Sequence, residues 1–183
     1  MHLQVVAFAR LRARFLLLML LASLAPILGY GQAKPLPDAA RRANLDTQLT
    51  AMEQAFLKAD FETFADFIHP DVLRVAGGAD VLAKKLRKDM EEMSSQGVQV
   101  KISHGVPSRI VSVDRELQCT VPQTSDFQMG ANTKTVQSTL LAVSTDGGKT
   151  WAFLDTAGKD WENVRRLVPN LSREIVLPAP PQK

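Results

Sequence analysis

The spacing of apolar residues changes at Val98, and this change constrains the fold more than any other feature of the chain. Before Val98 the apolar residues recur every three or four positions, which predicts amphipathic helices. From Val98 onward they alternate with polar residues, which predicts strands. Helices followed by consecutive strands are typical of an α+β fold with an antiparallel sheet. No period of roughly 20–50 residues repeats, so a repeat architecture is not indicated.

Three helices are predicted before the strands. The first begins within residues 38–46, the second is the short "DFETFADFI" with Asp60 as its cap, and the third is "ADVLAKKLRKDMEEMSSQG", which ends at Gly97. Between the second and the third, "VLRVA" predicts a short strand, and His69-Pro70-Asp71 predicts a stop signal and a turn. The apolar stripe of the first helix consists of Leu45, Leu49, Met52 and Phe56.

The second half of the chain predicts a sheet. "VQVKISH" is the first strand, and "RIVSV" continues it or pairs with it. Two longer strands, "ELQCTVPQTSDFQM" and "TKTVQSTLLAVST", precede the last one, "KTWAFLDT". "WENVRRLVP" predicts a final short helix, and "LPAPPQK" predicts a disordered tail.

The N-terminal segment has the order of a secretory signal peptide: basic residues at 10–14, an uncharged apolar stretch at 15–29, and small residues up to Ala33. The apolar stretch is short for a membrane span, which needs roughly 20 residues. We expect cleavage after Ala33 and an exported protein, periplasmic or secreted, without a membrane partner; a retained anchor is the alternative. The predicted organisation is a signal peptide at 1–33, a linker at 34–42, the folded domain at 43–168 and a tail at 169–183.

Cleavage would change the charge of the chain. The whole chain has 22 Lys and Arg against 19 Asp and Glu, and three of the arginines but no acidic residue lie in residues 1–33. The mature chain therefore has 19 of each, and its charge does not favour nucleic acid as a partner. Cys119 is the only cysteine, which excludes an internal disulfide. We predict a half-buried strand residue, with a reactive thiol or an intermolecular disulfide as the alternatives. Without ligand spacing around His69 and His104, no metal and no cofactor are predicted.

The stretch "STDGGKTW", residues 144–151, matches the spacing of the Asp-box of sialidase-type β-propellers. A propeller needs several blades of four strands each, whereas this chain has one such match and three predicted helices. We interpret the stretch as the turn of a tight β-hairpin, in which Gly147 or Gly148 supplies the positive φ and Trp151 packs across the strands. It then carries no catalytic information.

Residues 43–158 resemble a known family. The features that carry the resemblance are "LDTQLTAMEQAFLKADFETFADFIHPDVLRVAGG", a further helix, and hairpins that end in "DGGKTWAFLD". This pattern resembles the nuclear transport factor 2-like, or SnoaL-like, superfamily. The resemblance implies a cystatin-like cone, in which a bent antiparallel sheet wraps the helices and often holds a small apolar ligand. Members include isomerases, dehydratases, polyketide cyclases and proteins without known activity, often as dimers, so a homodimer is a candidate assembly here.

The candidate site lies at the mouth of such a cone. His104 ends the apolar face of its strand, and Asp155 shares a face with Trp151 and Phe153 on the last strand. If the strands pair as in the family, His104 and Asp155 border one cavity, where they could abstract a proton or orient a water. Asp71 is a further candidate at the mouth. The alternatives are a hydrogen-bonded rim histidine and an Asp155 that caps the turn after its strand.

Three functions remain open from the sequence. The first is an exported cone that binds a small apolar ligand or a protein partner without catalysis. The second is a small-molecule enzyme, such as an isomerase, dehydratase or hydrolase, that uses His/Asp acid–base chemistry. The third is an interaction subunit that assembles through the outer face of its sheet. The steroid isomerase branch of the family is disfavoured, because the only tyrosine, Tyr30, lies in the predicted signal peptide.

Overall fold

A computed structural model describes residues 35–178 as one set of four helices, a five-stranded sheet and a last short helix. The predicted signal peptide lies outside these residues. The helices before the sheet are α1 (Asp38–Leu57), α2 (Phe61–Ala65), α3 (Pro70–Ala76) and α4 (Ala79–Ser95). The strands are β1 (Val98–His104), β2 (Val111–Val113), β3 (Glu116–Met129), β4 (Asn132–Ser144) and β5 (Ala152–Asp155), and α5 (Trp161–Leu167) follows. This order confirms the predicted α+β class and the change of period at Val98.

The strands form one curled antiparallel sheet in the order β1-β3-β4-β5. Both β1 and β2 pair with β3, on the edge that β4 leaves free: β1 along residues 123–129 and β2 along residues 116–118. "RIVSV" thus continues the line of the first strand and does not pair with it. The long β3–β4 hairpin is the centre of the sheet, and its 13 paired positions extend from Leu117 opposite Ser144 to Met129 opposite Asn132.

The sheet has a core on each face. The concave face packs against the apolar stripe of α1, which confirms the predicted stripe. The buried residues of this first core are Leu45, Leu49, Met52, Leu117, Cys119, Val121, Leu140, Ala142, Trp151 and Phe153. The convex face packs against α5 and the residues after it. The buried residues of this second core are Val111, Leu141, Val143, Leu154, Val164, Val168, Leu171 and Ile175.

The second core corrects the predicted boundary at residue 168. Leu171 and Ile175 are 6% and 5% exposed, so the segment predicted as a tail covers the convex face as far as Ile175. The buried side chain of Gln118 fixes it there: its amide oxygen accepts from Ser172 N at 2.9 Å, and its amide nitrogen donates to Asn170 O at 3.1 Å. At the other boundary, α1 begins at Asp38, inside the predicted linker.

The prediction of a strand at "VLRVA" is wrong, because these residues form α3. His69 is the N-cap, and its side chain accepts from Asp71 N. Pro70 occupies the first turn, where its missing N–H costs nothing and its fixed φ suits a helix. Gly77 ends the helix with φ 91°. The same proline that stops the preceding helix therefore opens the next one.

The stretch at 144–151 joins β4 to β5 as a loop longer than a tight hairpin turn, and it holds α1 against the sheet. Gly147 and Gly148 have φ values of 79° and 91°, which confirms the predicted positive φ. Three side chains of α1, spaced three and four residues apart on one helix face, donate to successive loop carbonyls. These contacts are Arg41 Nε to Gly147 O (3.3 Å), Asn44 Nδ2 to Gly148 O (2.9 Å) and Gln48 Nε2 to Lys149 O (3.0 Å).

Candidate functional site

A cavity of about 240 Å³ lies where α1 and α2 meet the concave face of the sheet beyond the filled core. We call this region the open end of the cone, and the region of Leu45, Leu49, Leu117 and Trp151 the closed end. Most of the cavity wall is apolar. The apolar lining consists of Met52, Phe56, Phe64, Ile68, Val100, Ile102, Phe127, Leu140 and Phe153, and the polar lining of Glu53, His104, Gln123, Ser125 and Asp155.

The alternation of side chains along β1 explains which residues form the sheet side of the cavity wall. Val100, Ile102 and His104 lie two residues apart on β1 and line the cavity, whereas Gln99, Lys101 and Ser103 between them are exposed. Antiparallel pairing places His104 directly opposite Gln123 of β3, so the two side chains stand on the same face. The predicted inward direction of His104 therefore agrees with its place in the structure.

His104 is held between two polar side chains. Its Nδ1 lies 3.3 Å from Glu53 Oε2 on α1, and its Nε2 lies 3.2 Å from Gln123 Oε1. The side chains of His104 and Glu53 are 12% and 22% exposed, so both are largely withdrawn from water. Gln123 in turn donates to Ser138 Oγ on β4 at 3.3 Å. A polar row thus leads from Glu53 on α1 through His104 and Gln123, which line the cavity, to Ser138 on β4.

The hydrogen bonds around His104 limit the protonation states that its ring can adopt. A neutral imidazole donates from one nitrogen only, whereas both nitrogens of His104 face oxygen atoms. A doubly protonated ring satisfies both contacts. A neutral ring satisfies them when Nδ1–H donates to Glu53 and the Gln123 amide turns its NH₂ toward Nε2. In both states Glu53 orients the ring and accepts a hydrogen bond from Nδ1–H.

Asp155 lines the same cavity as His104 but is not its hydrogen-bond partner. Its Oδ1 accepts from Ala157 N at 2.8 Å, so the carboxylate caps the turn after β5, and the side chain is exposed. Lys159 Nζ donates to the carbonyl oxygen of Asp155 at 2.9 Å. The structure thus brings His104 and Asp155 to one cavity, but the acid beside the imidazole is Glu53. Sequence reasoning missed Glu53, although it follows the stripe residue Met52 and lies one turn after Leu49.

The remaining predicted site residues divide between the cavity and other places. Phe153 lines the cavity and is 1% exposed. Trp151 is not part of the lining: it precedes β5 at the closed end, where it is 3% exposed in the core under α1. Asp71 is also outside the cavity. It lies in the first turn of α3 and accepts from Arg74 at 2.8 Å and 3.0 Å, so a local ion pair accounts for it.

Residues 35–178 contain no group of three or more His, Cys, Asp or Glu side chains that could hold a metal ion. None of the helices in this range is long and apolar enough to cross a membrane.

Comparison with protein-family models and with curated proteins finds no match to this sequence. Among solved structures, the chain is similar to one from Catenulispora acidiphila, with 15% identity over 64% of this chain and 92% of that chain and a TM-score of 0.47. It is also similar to an NTF-2 like protein of unknown function from Shewanella oneidensis MR-1, with 15% identity over 61% and 93% and a TM-score of 0.44.

A third similar structure is a domain of unknown function with a cystatin-like fold from Nostoc punctiforme, with 16% identity over 76% of this chain and 91% of that chain and a TM-score of 0.44. NTF-2 like and cystatin-like are the names that the sequence resemblance predicted. At these identities and TM-scores the likeness carries no information about activity. The class of this protein is thus described by its own fold and site: an α+β cone whose open end contains an apolar cavity with one oriented histidine.

Proposed function

We propose that this protein binds a small, mostly apolar molecule with one polar group in the cavity at the open end. The observation that carries the proposal is the arrangement of the lining, in which nine apolar side chains surround a histidine that is held on both sides. Burial of apolar surface supplies the affinity, and the few polar groups choose the orientation. The volume of about 240 Å³ is below the roughly 300–1,000 Å³ of drug-sized pockets, so the ligand has one or two rings or a comparable chain.

The polar end of the ligand belongs beside His104. This ring, Glu53 and Gln123 are the only polar groups of the described lining that contact one another within the cavity. A ligand hydroxyl or carbonyl can enter their hydrogen-bond row, because hydroxyls donate and accept and His104 can offer either role. A purely apolar ligand leaves these hydrogen bonds unchanged, and its affinity comes only from the burial of apolar surface.

The test uses 2-naphthol as a probe and naphthalene as the same ring system without the hydroxyl. We expect saturable binding of 2-naphthol by calorimetry or by its fluorescence. His104→Ala should weaken it by about 1–3 kcal/mol, because a polar partner in the cavity is left unpaired. The same substitution should change naphthalene affinity little. Lys101→Ala is the matched control, since Lys101 lies on the exposed face of the same strand.

Val100→Trp fills the cavity from the sheet side and should abolish binding of both probes while the fold is retained. Unchanged affinity in this variant would place the probe elsewhere and would refute the proposal. Failure of 2-naphthol to bind saturably to the unmodified protein, at any concentration up to its solubility, would also count against it.

Acid–base catalysis is the second candidate function, and the Glu53–His104 contact of 3.3 Å is the observation that favours it. A carboxylate that orients an imidazole in a largely apolar site is suited to proton abstraction beside a carbonyl. A bicyclic ketone, 2-tetralone, tests this directly, because exchange of its α-protons in D₂O is visible by NMR. The enzyme reading predicts exchange above the buffer rate that is lost in His104→Ala and in Glu53→Gln. Exchange at the buffer rate, together with normal 2-naphthol binding, would contradict the catalytic function and support binding without catalysis.

We further propose that the protein is exported. The support is the order of basic, apolar and small residues in 1–33. The intact mass of the protein recovered from the periplasm or the medium should equal that of a chain whose first residue is Lys34 or lies within a few residues of it. Recovery of only the full-length chain from the cytosol would disprove export.

A further inference from the structure

An apolar groove of about 310 Å³ lies alongside β5, where side chains of α3, α4 and α5 approach one another. Five of its apolar side chains come from these helices: Val72, Val75, Leu82, Leu86 and Leu167. None of the five lines the cavity with His104. Val75 is 69% exposed, and Leu82 and Leu86 are only half-buried, so the groove leaves apolar surface in contact with water. Covering such a surface with an apolar group lowers the free energy.

A second pocket adjoins this groove, and we call it the basic pocket. It is lined by Arg74, Val75, Lys159, Asn163, Arg166 and Leu167. The groove and the basic pocket share Val75, Lys159 and Leu167, so they form one continuous surface. Three of the six side chains are cationic, and no acidic side chain of residues 35–178 is among them. The apolar groove therefore leads directly to a cluster of positive charge.

Two of the three cations have no ion-pair partner within the described part of the chain. Lys159 Nζ donates to a main-chain oxygen at 2.9 Å, and Arg166 Nη1 donates to Asn163 Oδ1 at 3.5 Å. Neither takes part in a salt bridge within residues 35–178. Arg74 differs, because Asp71 accepts from it at 2.8 Å and 3.0 Å. Two positive charges of the basic pocket are thus available to an anionic ligand.

Asp155 is the acidic side chain of the groove wall, and it limits where an anion can lie. It also lines the first cavity, but it does not line the basic pocket. A ligand carboxylate is repelled near Asp155, whereas Lys159 and Arg166 attract it in the basic pocket. The ligand therefore has one favourable direction, with its chain in the groove and its anionic end in the basic pocket.

We propose that the groove and the basic pocket together bind a single-chain anionic amphiphile, that is, a carboxylate with an unbranched alkyl chain. Burial of the chain against Val72, Val75 and Leu86 supplies the affinity. The carboxylate accepts charge-assisted hydrogen bonds from Lys159 and Arg166. The groove volume of about 310 Å³ is at the lower end of the roughly 300–1,000 Å³ of ligand pockets, which suits one short chain. This site is separate from the function proposed for the first cavity, and neither proposal depends on the other.

The probes are octanoate, octan-1-ol and octyltrimethylammonium, which share the alkyl chain and differ in charge. Calorimetry should show saturable binding of octanoate with a Kd on the order of 1 mM, as suits so small a ligand. The alcohol should bind about threefold more weakly and the cation at least about tenfold more weakly, because of the two unpaired cations. Added salt should narrow these differences. Shortening octanoate to hexanoate should weaken binding by about two- to fourfold for each CH₂ removed.

Val75→Glu tests the surface that the groove and the basic pocket share. Val75 is 69% exposed, so we expect the variant to fold normally. The substitution replaces apolar surface by a negative charge and should weaken octanoate binding at least about tenfold. Val106→Glu is the matched control, because Val106 is 87% exposed and lines neither the groove nor the basic pocket. Its octanoate affinity should equal that of the unmodified protein.

Two neighbouring arginines of α5 test the role of charge. Both are exposed, but Arg166 lines the basic pocket, whereas Arg165 lines neither the pocket nor the groove. Arg166→Gln should weaken octanoate binding about threefold and change the affinity for octan-1-ol little. Arg165→Gln should change neither affinity. Adding Lys159→Gln to Arg166→Gln should bring the loss for octanoate to about tenfold.

Amide ¹⁵N–¹H spectra locate the bound octanoate, which matters because Phe64, Ile68 and Phe153 line both the groove and the first cavity. Octanoate should shift the signals of residues 74–76 and 159–167 saturably. The same shifts should persist in Val100→Trp, which fills the first cavity. Octanoate that instead shifts residues 100–104, and that Val100→Trp excludes, would lie in the first cavity. That result would refute the groove site and leave the function proposed for the first cavity intact.

Three other outcomes would overturn the proposal. One is the absence of saturable octanoate binding to the unmodified protein. Another is equal affinity for the three probes, because the cations of the basic pocket would then play no part. The third is a dimer that Val75→Glu dissociates, without any octanoate binding, since the groove would then be an interface between two copies of the chain.

Discussion

The closed and open ends of the cone are built from the same helix and the same sheet, yet one is filled and the other contains a cavity. At the closed end Leu45 and Leu49 are 0% and 4% exposed, whereas at the open end Phe56 and Ile102 are only half-buried. The first half of α1 is fastened by three donors to the loop carbonyls of 147–149, and its second half contacts β1 through Glu53 and His104. We therefore expect the closed end to contribute more to stability than the open end, which keeps an unfilled cavity.

The largest expected effect separates the two ends by core truncation. Leu45→Ala empties a fully buried position and should lower the free energy of unfolding by about 2–5 kcal/mol. Ile102→Ala removes similar volume beside an existing cavity, and should cost about half as much or less because fewer packing contacts are lost. Urea unfolding at neutral pH measures both. Equal losses would break the distinction between the ends.

The glycine pair of the loop gives the next largest effect. At Gly148 an added Cβ would lie 2.5 Å from Arg41 Cγ, whereas at Gly147 it would meet nothing within 4 Å. Both residues have positive φ, so alanine at either position should cost about 1–2 kcal/mol. Gly148→Ala should cost about 1 kcal/mol more, because the Arg41 side chain must move away. Thermal unfolding of the two variants tests this, and a larger loss at Gly147 would show that the loop does not fasten α1.

Asp146 should contribute a smaller, pH-dependent amount. Burial raises the pKa of this carboxyl, but hydrogen bonds from Thr150, Ser144 and Lys149 outweigh burial and hold the pKa below its ordinary value. Because the folded pKa is depressed, the stabilisation is present above the unfolded value of about 3.9 and is lost as pH falls through the folded pKa. Asp146→Ala should cost about 1 kcal/mol at pH 7, a modest figure for a group this exposed.

The difference between Asp146→Ala and the unmodified protein should shrink below about pH 4. Calorimetry at pH 7 and at pH 3 makes the comparison. A difference that stays constant between these pH values would mean that the charge of Asp146 plays no part. Glycan affinity that disappears with Asp146 would restore the Asp-box interpretation of the loop.

The smallest expected effect is an absence of reaction at Cys119. Burial raises the pKa of this thiol to about 12; the charge of Arg42 opposes this shift to a smaller extent, and that of Asp46 adds to it. At pH 8 the thiolate fraction is then on the order of 10⁻⁴, and the sulfur has no access to solvent. Iodoacetamide should modify Cys119 quickly in urea and very slowly in the native protein. Equal rates would show that the closed end opens readily.

Much of the fold was predictable because period and turn chemistry are local properties. Alternation from Val98 placed Val100, Ile102 and His104 on one face, and the loop glycines indicated positive φ. Where two local rules compete, prediction failed: Pro70 both stops one helix and opens another, so "VLRVA" was assigned to the wrong element. Cys119 is fully buried where half-burial was predicted, because the sheet is covered on both faces.

The sequence by itself determined which residues share a face, and only the tertiary structure decided what each face meets. Alternation directed both Trp151 and Asp155 inward, but one lies under the first half of α1 and the other at the cavity mouth. Glu53 became the partner of His104 because α1 crosses β1 at that height, and the residues around Leu171 folded back because the convex face was apolar. Period is encoded over a few residues, whereas the distance between a helix and a strand depends on every side chain packed between them.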